Sequence, residues 1–204
     1  AGHGVRRAGI VAADFCGQWG RYVFQMDDYQ SLIRGGQNFS VVTSAPQPVF
    51  SQYMQADLVV ALDKRSYDLH RQHVARGGVM VYNSDVVTDD GVSGVGLPFS
   101  DLAKGYPQPA LRLGVGAVVA FLVAVGLDKD AVSRYVARKY PRDAENNVSY
   151  ALSVFDSARD GLAARFPLAR GEAPSTALTG NEAIGLGMYA GGLDMYFSYP
   201  MTPS

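Results

Sequence analysis

The stretch DLVVALDKRSYDLHRQHVARGGVMVY, residues 57–82, decides the fold class of this chain. Asp57–Leu62 and Val79–Tyr82 are continuous apolar runs, typical of strands that are buried on both faces. Lys64–Ala75 between them is predicted to be a crossover helix, with Gly77 and Gly78 at its C-terminus. A strand, a helix and a second strand form a βαβ unit. The sequence therefore predicts an α/β fold with a mostly parallel sheet flanked by helices.

Further helices and strands are predicted on both sides of this unit. Val5–Cys16 carries apolar residues at helical spacing, and Arg112–Gly126 is a helix that is apolar nearly all round. The second pattern indicates burial in a core or at a subunit interface. The remaining predicted elements are strands at Tyr22–Met26, Asn38–Ser44 and Met195–Ser198, a helix between Asp128 and Pro141, and a helix from Val148 to Leu162.

The composition is that of a globular protein with a sizeable core. The 204 residues are 48% hydrophobic and 18% charged, which excludes disorder and allows one domain plus part of a second. A net charge of −1 gives no electrostatic reason to expect nucleic acid or an anionic membrane as a partner. The longest uncharged apolar run, Leu113–Leu127, is shorter than the roughly 20 residues of a membrane span.

Cys16 is the only cysteine, and this limits the chemistry of the chain. A disulfide within the chain and a four-thiolate iron–sulfur site built from this chain alone are both excluded. We expect a small core residue in a reducing, cytoplasmic setting. His70 and His73 share a predicted helix but lack a third ligand at metal spacing, so no metal site is expected.

Gly2 and Gly4 form a glycine-rich turn at the start of the first helix. Such a turn binds phosphate at a helix N-terminus in some proteins, and in others it serves only close packing of strand and helix. A turn of this kind normally follows a strand. We therefore expect Ala1 to lie within a larger unit.

A change in pattern divides the chain into two units. Residues 167–175 (PLARGEAPS) have two prolines, a glycine and no periodicity, which is typical of a linker. Beyond them, Thr179 and Glu182 are spaced as a capping box for a helix that ends at Gly191-Gly192. The expected organisation is a first domain at 1–165, a linker at 166–178 and the start of a second α/β domain at 179–204.

The last six residues, YPMTPS at 199–204, contain a threonine, Thr202, between two prolines. Pro200 and Pro203 restrict the residues before them to an extended backbone and cannot donate a ladder hydrogen bond. Thr202 is therefore expected in a stiff turn at the carboxyl end of a strand, where open α/β sheets bind ligands. An ordinary proline-bounded loop is the alternative.

Both units resemble parts of the 2-oxoacid:ferredoxin oxidoreductases. Residues 180–204, GNEAIGLGMYAGGLDMYFSYPMTPS, resemble the start of that family's α-domain, which begins with a Gly-Asn-Glu-Ala-Ile helix and reaches a Tyr-Pro-Ile-Thr-Pro-Ser turn. Met201 replaces the usual Ile. Residues 1–165 resemble its γ-domain: AGHGV at 1–5 matches the end of a Gly-Gly-Gln-Gly-Val turn, with His3 for Gln, and SLIRGG at 31–36 matches a Ser-x-x-Arg-Gly-Gly segment.

The resemblance implies a subunit of an enzyme that oxidatively decarboxylates a 2-oxoacid, 2-oxoglutarate being favoured, to an acyl-coenzyme A and reduces ferredoxin. It implies a complex that uses thiamine diphosphate, Mg²⁺ and a [4Fe-4S] cluster, carried mainly by a β-subunit, so that this chain alone is inactive. Thr202 would lie beside the thiamine diphosphate and contact the 2-oxoacid. Tyr199, Pro200 and Pro203 would form the scaffold of that pocket.

Arg34-Gly35-Gly36 is predicted to be a tight turn with a fixed guanidinium, a group suited to phosphate or carboxylate. Because the γ-domain borders the coenzyme A site in the family resembled, these residues are a hypothetical coenzyme A contact. Alternatively, Arg34 caps carbonyls or pairs with Asp27 or Asp28.

Two other functions stay open from the residues alone. A non-enzymatic α/β assembly module would dock a partner through the Arg112–Gly126 helix. A nucleotide-binding α/β protein would use the Gly2/Gly4 turn.

Overall fold

A computed structural model describes residues 2–28, 37–172 and 174–199. Within these ranges two sheets lie beside a group of packed helices. The elements follow one another as α1 Val5–Gln18, β1 Tyr22–Asp28, β2 Phe39–Ala45, β3 Ala56–Ala61, α2 Lys64–His70, β4 Val74–Asn83, β5 Val95–Leu97, α3 Phe99–Ala103, α4 Pro109–Ala124, α5 Lys129–Lys139, α6 Ala144–Leu162 and α7 Gly180–Ala190.

The strands form a parallel sheet and an antiparallel pair. β3, β4 and β5 are parallel and adjacent in that order. β1 and β2 are antiparallel, with a register from Tyr22 opposite Ala45 to Asp28 opposite Phe39. Helices pack against both sheets. The predicted α/β class, with a parallel sheet flanked by helices, is confirmed.

The βαβ unit predicted from residues 57–82 is present as β3, α2 and β4. Asp63 caps α2, because its carboxylate accepts a hydrogen bond of 2.7 Å from the backbone N–H of Ser66. The helix ends earlier than predicted, at His70 in place of Ala75. One 3-10 turn at Arg71–His73 then leads into β4.

The prediction that Gly77 and Gly78 follow a helix C-terminus is wrong, because both lie inside β4. The pairing of β3 with β4 shifts register between residues 56 and 58, so β4 carries extra residues at this point. Gly77 has a φ of +83°, a left-handed conformation that glycine adopts without strain. The two glycines therefore serve a bulge in a strand.

The centre of the core is α4, which packs against α1, α3, α5, α6 and β3. Its side chains are buried on several sides, which confirms the predicted burial of this apolar helix. The surface that an assembly module would need for docking is therefore largely covered by the chain's own core. In the described part of the chain, no helix has both the length and the apolar character of a membrane span. The buried α4 residues are Arg112, Leu113, Gly114, Val115, Gly116, Val118, Val119, Ala120, Leu122, Val123 and Ala124.

Two glycines allow the neighbours of α4 to approach closely. A Cβ at Gly114 would lie 2.6 Å from the carbonyl oxygen of His3. A Cβ at Gly116 would lie 2.7 Å from both a ring carbon of Phe99 and the hydroxyl of Tyr150. Because real Cβ atoms do not approach other atoms so closely, the position of the turn before α1 depends on Gly114 having no side chain.

Arg112 is the one charged side chain among these buried α4 residues. Its guanidinium donates to the side-chain oxygens of Asn147 and Asp143. Asn147 in turn donates to the carbonyl of Arg142 at 2.8 Å. The hydrogen bond from Arg112 lowers the pKa of Asp143. This cluster ties α4 to the start of α6.

The segment that the sequence predicts as a linker partly packs along the end of α1. Trp19 donates from its indole to the carbonyl of Leu168 at 3.1 Å, and the N–H of Gly171 donates to the carbonyl of Trp19 at 2.9 Å. Beyond it, α7 is exposed along its length. The prediction of a strand at Met195–Ser198 is wrong, because these residues have no regular secondary structure. Among the described residues, no strand lies beside them to form backbone hydrogen bonds.

We expect Gly114→Ala to lower the urea midpoint of unfolding, because the added methyl group overlaps the carbonyl oxygen of His3. Overpacking of this kind costs about 1–3 kcal/mol in the free energy of unfolding. Gly185→Ala in α7 is the matched control, since a Cβ there meets nothing within 4 Å and alanine favours a helix. Equal midpoints for the two variants would contradict the close contact between α4 and the turn.

Candidate functional site

The Gly2–Gly4 turn lies at the amino end of α1. Gly2 and Gly4 have φ values of +93° and +71°, both left-handed. Among the described residues, no side chain caps α1, so the backbone N–H groups of its first turn have no side-chain acceptor. The contact with Gly114 accounts for a packing role of the turn. The phosphate role stays a prediction.

A first cavity of about 340 Å³ extends along β3, from Met54 ahead of the strand to Asp63 beyond it. The three histidines of the chain, His3, His70 and His73, all line it, together with Asp63 and Arg65. The imidazole rings of His70 and His73 have centroids 5.7 Å apart. His73 contacts the carbonyl of Met54, ahead of β3, at 3.1 Å, whereas Asp63 lies beyond the carboxyl end of that strand. The carboxyl ends of parallel strands are the usual place for ligands in α/β folds, so the part of the cavity lined by Asp63, Arg65 and His3 is a candidate binding surface.

Burial disfavours the charged form of two of these histidines, His3 and His70. Burial lowers the pKa of His3 and of His70, and the nearby His73 lowers the pKa of His70 further. At neutral pH both imidazoles are therefore uncharged, and Arg65 supplies a positive charge at the candidate binding surface. Across the ranges that the structure describes, no group of three or more His, Cys, Asp or Glu side chains is arranged to hold a metal ion.

A second cavity of about 400 Å³ lies between α1, α4 and the strands β2 and β3. Its lining is mainly aliphatic and aromatic and includes Cys16, which is 1% exposed. Burial raises the pKa of the Cys16 thiol, so the thiolate needed for nucleophilic or redox chemistry is disfavoured. The prediction of a small core residue at Cys16 is confirmed.

Arg34, Gly35 and Gly36 lie outside the described residues. The chain on either side of them is described: Met26 of β1 and Gln37 both line the first cavity. Asp27 forms an ion pair of 3.4 Å with Arg6, so its carboxylate already has a cationic partner. This partner weakens the alternative in which Asp27 holds Arg34.

Thr202, Pro200 and Pro203 also lie outside the described residues, whereas Tyr199 is described and 78% exposed. The helix that leads to them begins as predicted. The hydroxyl of Thr179 accepts from the N–H of Glu182 at 3.2 Å, and the carboxylate of Glu182 accepts from the N–H of Thr179 at 2.8 Å. These hydrogen bonds lower the pKa of Glu182. The capping box is confirmed.

The segment from α7 to Tyr199 exposes a run of large apolar side chains. Monomeric proteins seldom expose so many in one stretch, so this segment has the character of an interaction surface. Phe197, for example, is 84% exposed. The exposed members are Ile184, Leu186, Met188, Tyr189, Leu193, Met195, Tyr196, Phe197 and Tyr199.

The sequence does not predict that the three histidines line one cavity. It predicts a shared helix for His70 and His73 and gives His3 only a position in a glycine turn. One signal for part of this site is present: Asp63 directly follows a buried strand and His3 precedes a helix, and both features are typical of the carboxyl edge of a parallel sheet.

Comparison with protein families matches residues 1–160 to the family described as pyruvate ferredoxin/flavodoxin oxidoreductase. Among curated proteins, the 2-oxoglutarate synthase subunit KorC of Archaeoglobus fulgidus is 28% identical over 162 residues, which cover 78% of this chain and 83% of that protein. KorC of Methanocaldococcus jannaschii is 23% identical over 164 residues, covering 74% and 86%.

Two solved structures share the fold. The 2-oxoglutarate:ferredoxin oxidoreductase from Magnetococcus marinus superimposes with a TM-score of 0.76 at 22% identity, and the match covers all of this chain but only 38% of that chain. The γ-subunit of a keto/oxoacid ferredoxin oxidoreductase from Geobacter sulfurreducens gives a TM-score of 0.61 at 23% identity, covering 78% and 93%. Since the family match spans most of its length, the chain belongs to the pyruvate ferredoxin/flavodoxin oxidoreductase family.

Proposed function

We propose that this chain is a subunit, or part of a subunit, of a thiamine diphosphate-dependent 2-oxoacid:ferredoxin oxidoreductase. The family match across residues 1–160 carries this proposal. The complete complex would oxidatively decarboxylate a 2-oxoacid to an acyl-coenzyme A and transfer the released electrons to ferredoxin. The described fold, in which the single cysteine Cys16 is buried, suits a structural and binding role in such a complex. The cytoplasmic setting stays a prediction.

The proposed organisation is a γ-domain at 1–165, a linker at 166–178 and the start of an α-domain at 179–204. Three observations support it. The family match ends at residue 160, the stand-alone γ-subunit from Geobacter covers 78% of this chain, and the Magnetococcus chain aligns with all of it.

The favoured substrate is 2-oxoglutarate. Two curated relatives are named 2-oxoglutarate synthase subunits, and the Magnetococcus structure is described with 2-oxoglutarate, coenzyme A and succinyl-CoA bound. The chain spans only 38% of that Magnetococcus chain, so the groups that select the 2-oxoacid side chain are expected elsewhere in the complex.

The described residues do not fit the cofactors of the proposed reaction. A [4Fe-4S] cluster needs four thiolates, and the chain has the single, buried Cys16. The described ranges also contain no acidic cluster suited to the Mg²⁺ of a diphosphate. We therefore propose that a β-subunit binds both the cluster and the Mg²⁺ diphosphate. The contribution of this chain is the fold that positions the residues next to Tyr199.

Thr202 is proposed to contact the 2-oxoacid from the turn after Tyr199. Its hydroxyl can donate to a carboxylate or carbonyl oxygen of the substrate. Pro200 and Pro203 would hold the turn rigid, since each fixes its own φ and restricts the preceding residue. Tyr199 is 78% exposed and would complete the pocket against the partner.

In the assembled complex, we expect Thr202→Val to lower kcat/KM for the 2-oxoacid by about 10- to 100-fold, because a hydrogen bond to a charged group contributes roughly 1.5–3 kcal/mol. Thr202→Ser keeps the hydroxyl and should retain most of the activity. The KM for coenzyme A should not change in either variant. A Thr202→Val complex with the unaltered kcat/KM for the 2-oxoacid would remove the proposed contact.

Arg34 is proposed to contact coenzyme A, with Gly35 and Gly36 forming the tight turn. Gln37, three residues later, lines the first cavity, which supports a position of this segment near a candidate ligand surface. A guanidinium pairs well with phosphate groups.

Arg34→Ala should raise the KM for coenzyme A by about tenfold, because a charge-assisted hydrogen bond is lost. Arg71→Ala, an exposed position outside the cavity lining, is the matched control and should leave this KM unchanged. Steady-state kinetics at saturating 2-oxoacid measures both. An unchanged KM in the Arg34→Ala complex would exclude the contact.

A further inference from the structure

The segment between α6 and α7 is hydrogen-bonded to the end of α1 through its own backbone. The N–H of Gly171 donates to the carbonyl of Trp19 at 2.9 Å. Four residues later, the N–H of Ser175 donates to the carbonyl of Gly17, also at 2.9 Å. Because both partners lie at the carboxyl end of α1, these bonds hold the segment across that end. We define the strap as the described residues of this segment, 166–172 and 174–175.

Trp19 also binds the strap through its side chain. Its indole N–H donates to the carbonyl of Leu168 at 3.1 Å. The guanidinium of Arg170 lies 5.4 Å from the centroid of the indole ring, within the range of a cation–π contact. Phe15 stacks on the same indole, with ring centroids 5.2 Å apart, so the ring itself is held by the core. A single side chain therefore joins the strap to the packed interior of the first domain.

Three glycines let the strap lie directly on the backbone of the first domain. A Cβ at Gly171 would lie 1.7 Å from the carbonyl oxygen of Gly20. A Cβ at Gly17 would lie 2.8 Å from the carbonyl oxygen of Ser175. The backbone of Gly171 is not left-handed, so the close contact alone, and no backbone strain, excludes a side chain there. The strap is therefore fitted to this surface at the level of the main chain.

The strap determines where the second unit starts. In the described part of the chain α7 has no buried residue, so burial against the first domain does not fix its position. Only residues 176–178 separate Ser175 from Thr179, the N-cap of α7. Four residue steps span at most about 14 Å, so α7 begins within that distance of the end of the strap. If residues 166–178 were all free, the tether would be about fourfold longer, and the effective concentration of the second unit at its docking place would fall roughly tenfold.

We propose that the strap is a fixed support between the two units, and that Trp19 and Gly171 are positioning residues for the proposed reaction. They hold the start of α7, and with it the turn that contains Thr202, at one place relative to the first domain. This inference rests on the proposed function, which gives Thr202 a substrate to contact. Displacement of such a contact by about 1 Å, even through a change far from the chemistry, can lower the rate by up to about 100-fold.

Hydrogen exchange and trypsin digestion of the intact subunit in its native complex test whether the strap is bound. We expect the amides of residues 171 and 175 to exchange slowly and the peptide bond after Arg170 to resist trypsin. Gly171→Ala should release the strap, so that both amides exchange faster and trypsin cuts after Arg170. Gly105→Ala is the matched control, since a Cβ at this exposed glycine meets nothing within 4 Å, and it should change neither readout. Fast exchange in the unaltered complex, or unchanged exchange in Gly171→Ala, would overturn the proposal.

A double-mutant cycle on kcat/KM for the 2-oxoacid tests the positioning role. With Thr202 intact, Gly171→Ala should lower kcat/KM about tenfold, within the range that a displaced contact allows. In the Thr202→Val complex the same change should have little effect, because the contact that it displaces is already absent. An equal loss in both backgrounds would show a merely structural role for Gly171. No loss in either background would show that the strap does not position the turn, and each of these results contradicts the proposal.

Failure of this inference and failure of the proposed function give different results. A native complex that does not turn over a 2-oxoacid contradicts the proposed function, whereas turnover that falls with Thr202→Val but not with Gly171→Ala contradicts only the positioning role.

A second variant applies if the Gly171→Ala complex does not assemble. Arg170→Ala removes the guanidinium from the Trp19 ring and should lower kcat/KM for the 2-oxoacid about threefold. Arg165→Ala removes the same charge at a nearby exposed position and is the matched control, which should change little. Equal kcat/KM values for the two variants would count against the strap as a positioning element.

Discussion

The packing of α4 is the constraint on which the rest of the structure depends. Four helices and β3 pack against its apolar side chains, so this one helix fixes the positions of the elements around it. Gly114 brings the turn before α1 onto α4, and that turn places His3 at the carboxyl end of β3. The position of His3 in the candidate binding surface thus depends on a close contact between a helix and a turn.

Features that depend on short sequence patterns, such as helix caps and apolar helix faces, could be predicted from the sequence. The apolar circumference of α4, the capping box at Thr179 and the apolar helix face that carries Cys16 can be recognised from residues close together in the chain, and all three predictions are confirmed. Strand ends were less predictable. Gly77 and Gly78 resemble a helix terminus in isolation, and only pairing with β3 makes them a bulge. Met195–Ser198 has the composition of a strand, but without a neighbour it has no ladder to join.

The candidate site shows the same division between local and long-range information. His3 and His70 line the same cavity although 67 positions separate them in the chain, and no local pattern encodes this arrangement. Thr202 and Arg34 entered through resemblance to a family, and the described residues reach their flanks, Tyr199 and Gln37. Burial keeps His3 and His70 uncharged at neutral pH, so binding of an anion in this cavity depends on arginine.

The central claim is that this chain acts as a scaffold within a thiamine-dependent complex whose reactive groups a partner supplies. Affinity purification of the intact subunit from its native cell, with cofactor analysis and assay of ferredoxin reduction, tests it most directly. We expect a stoichiometric partner that carries thiamine diphosphate and an iron–sulfur cluster, with turnover that requires a 2-oxoacid, coenzyme A and both chains. Turnover by the isolated 204-residue chain, or a partner that lacks both groups, would contradict it.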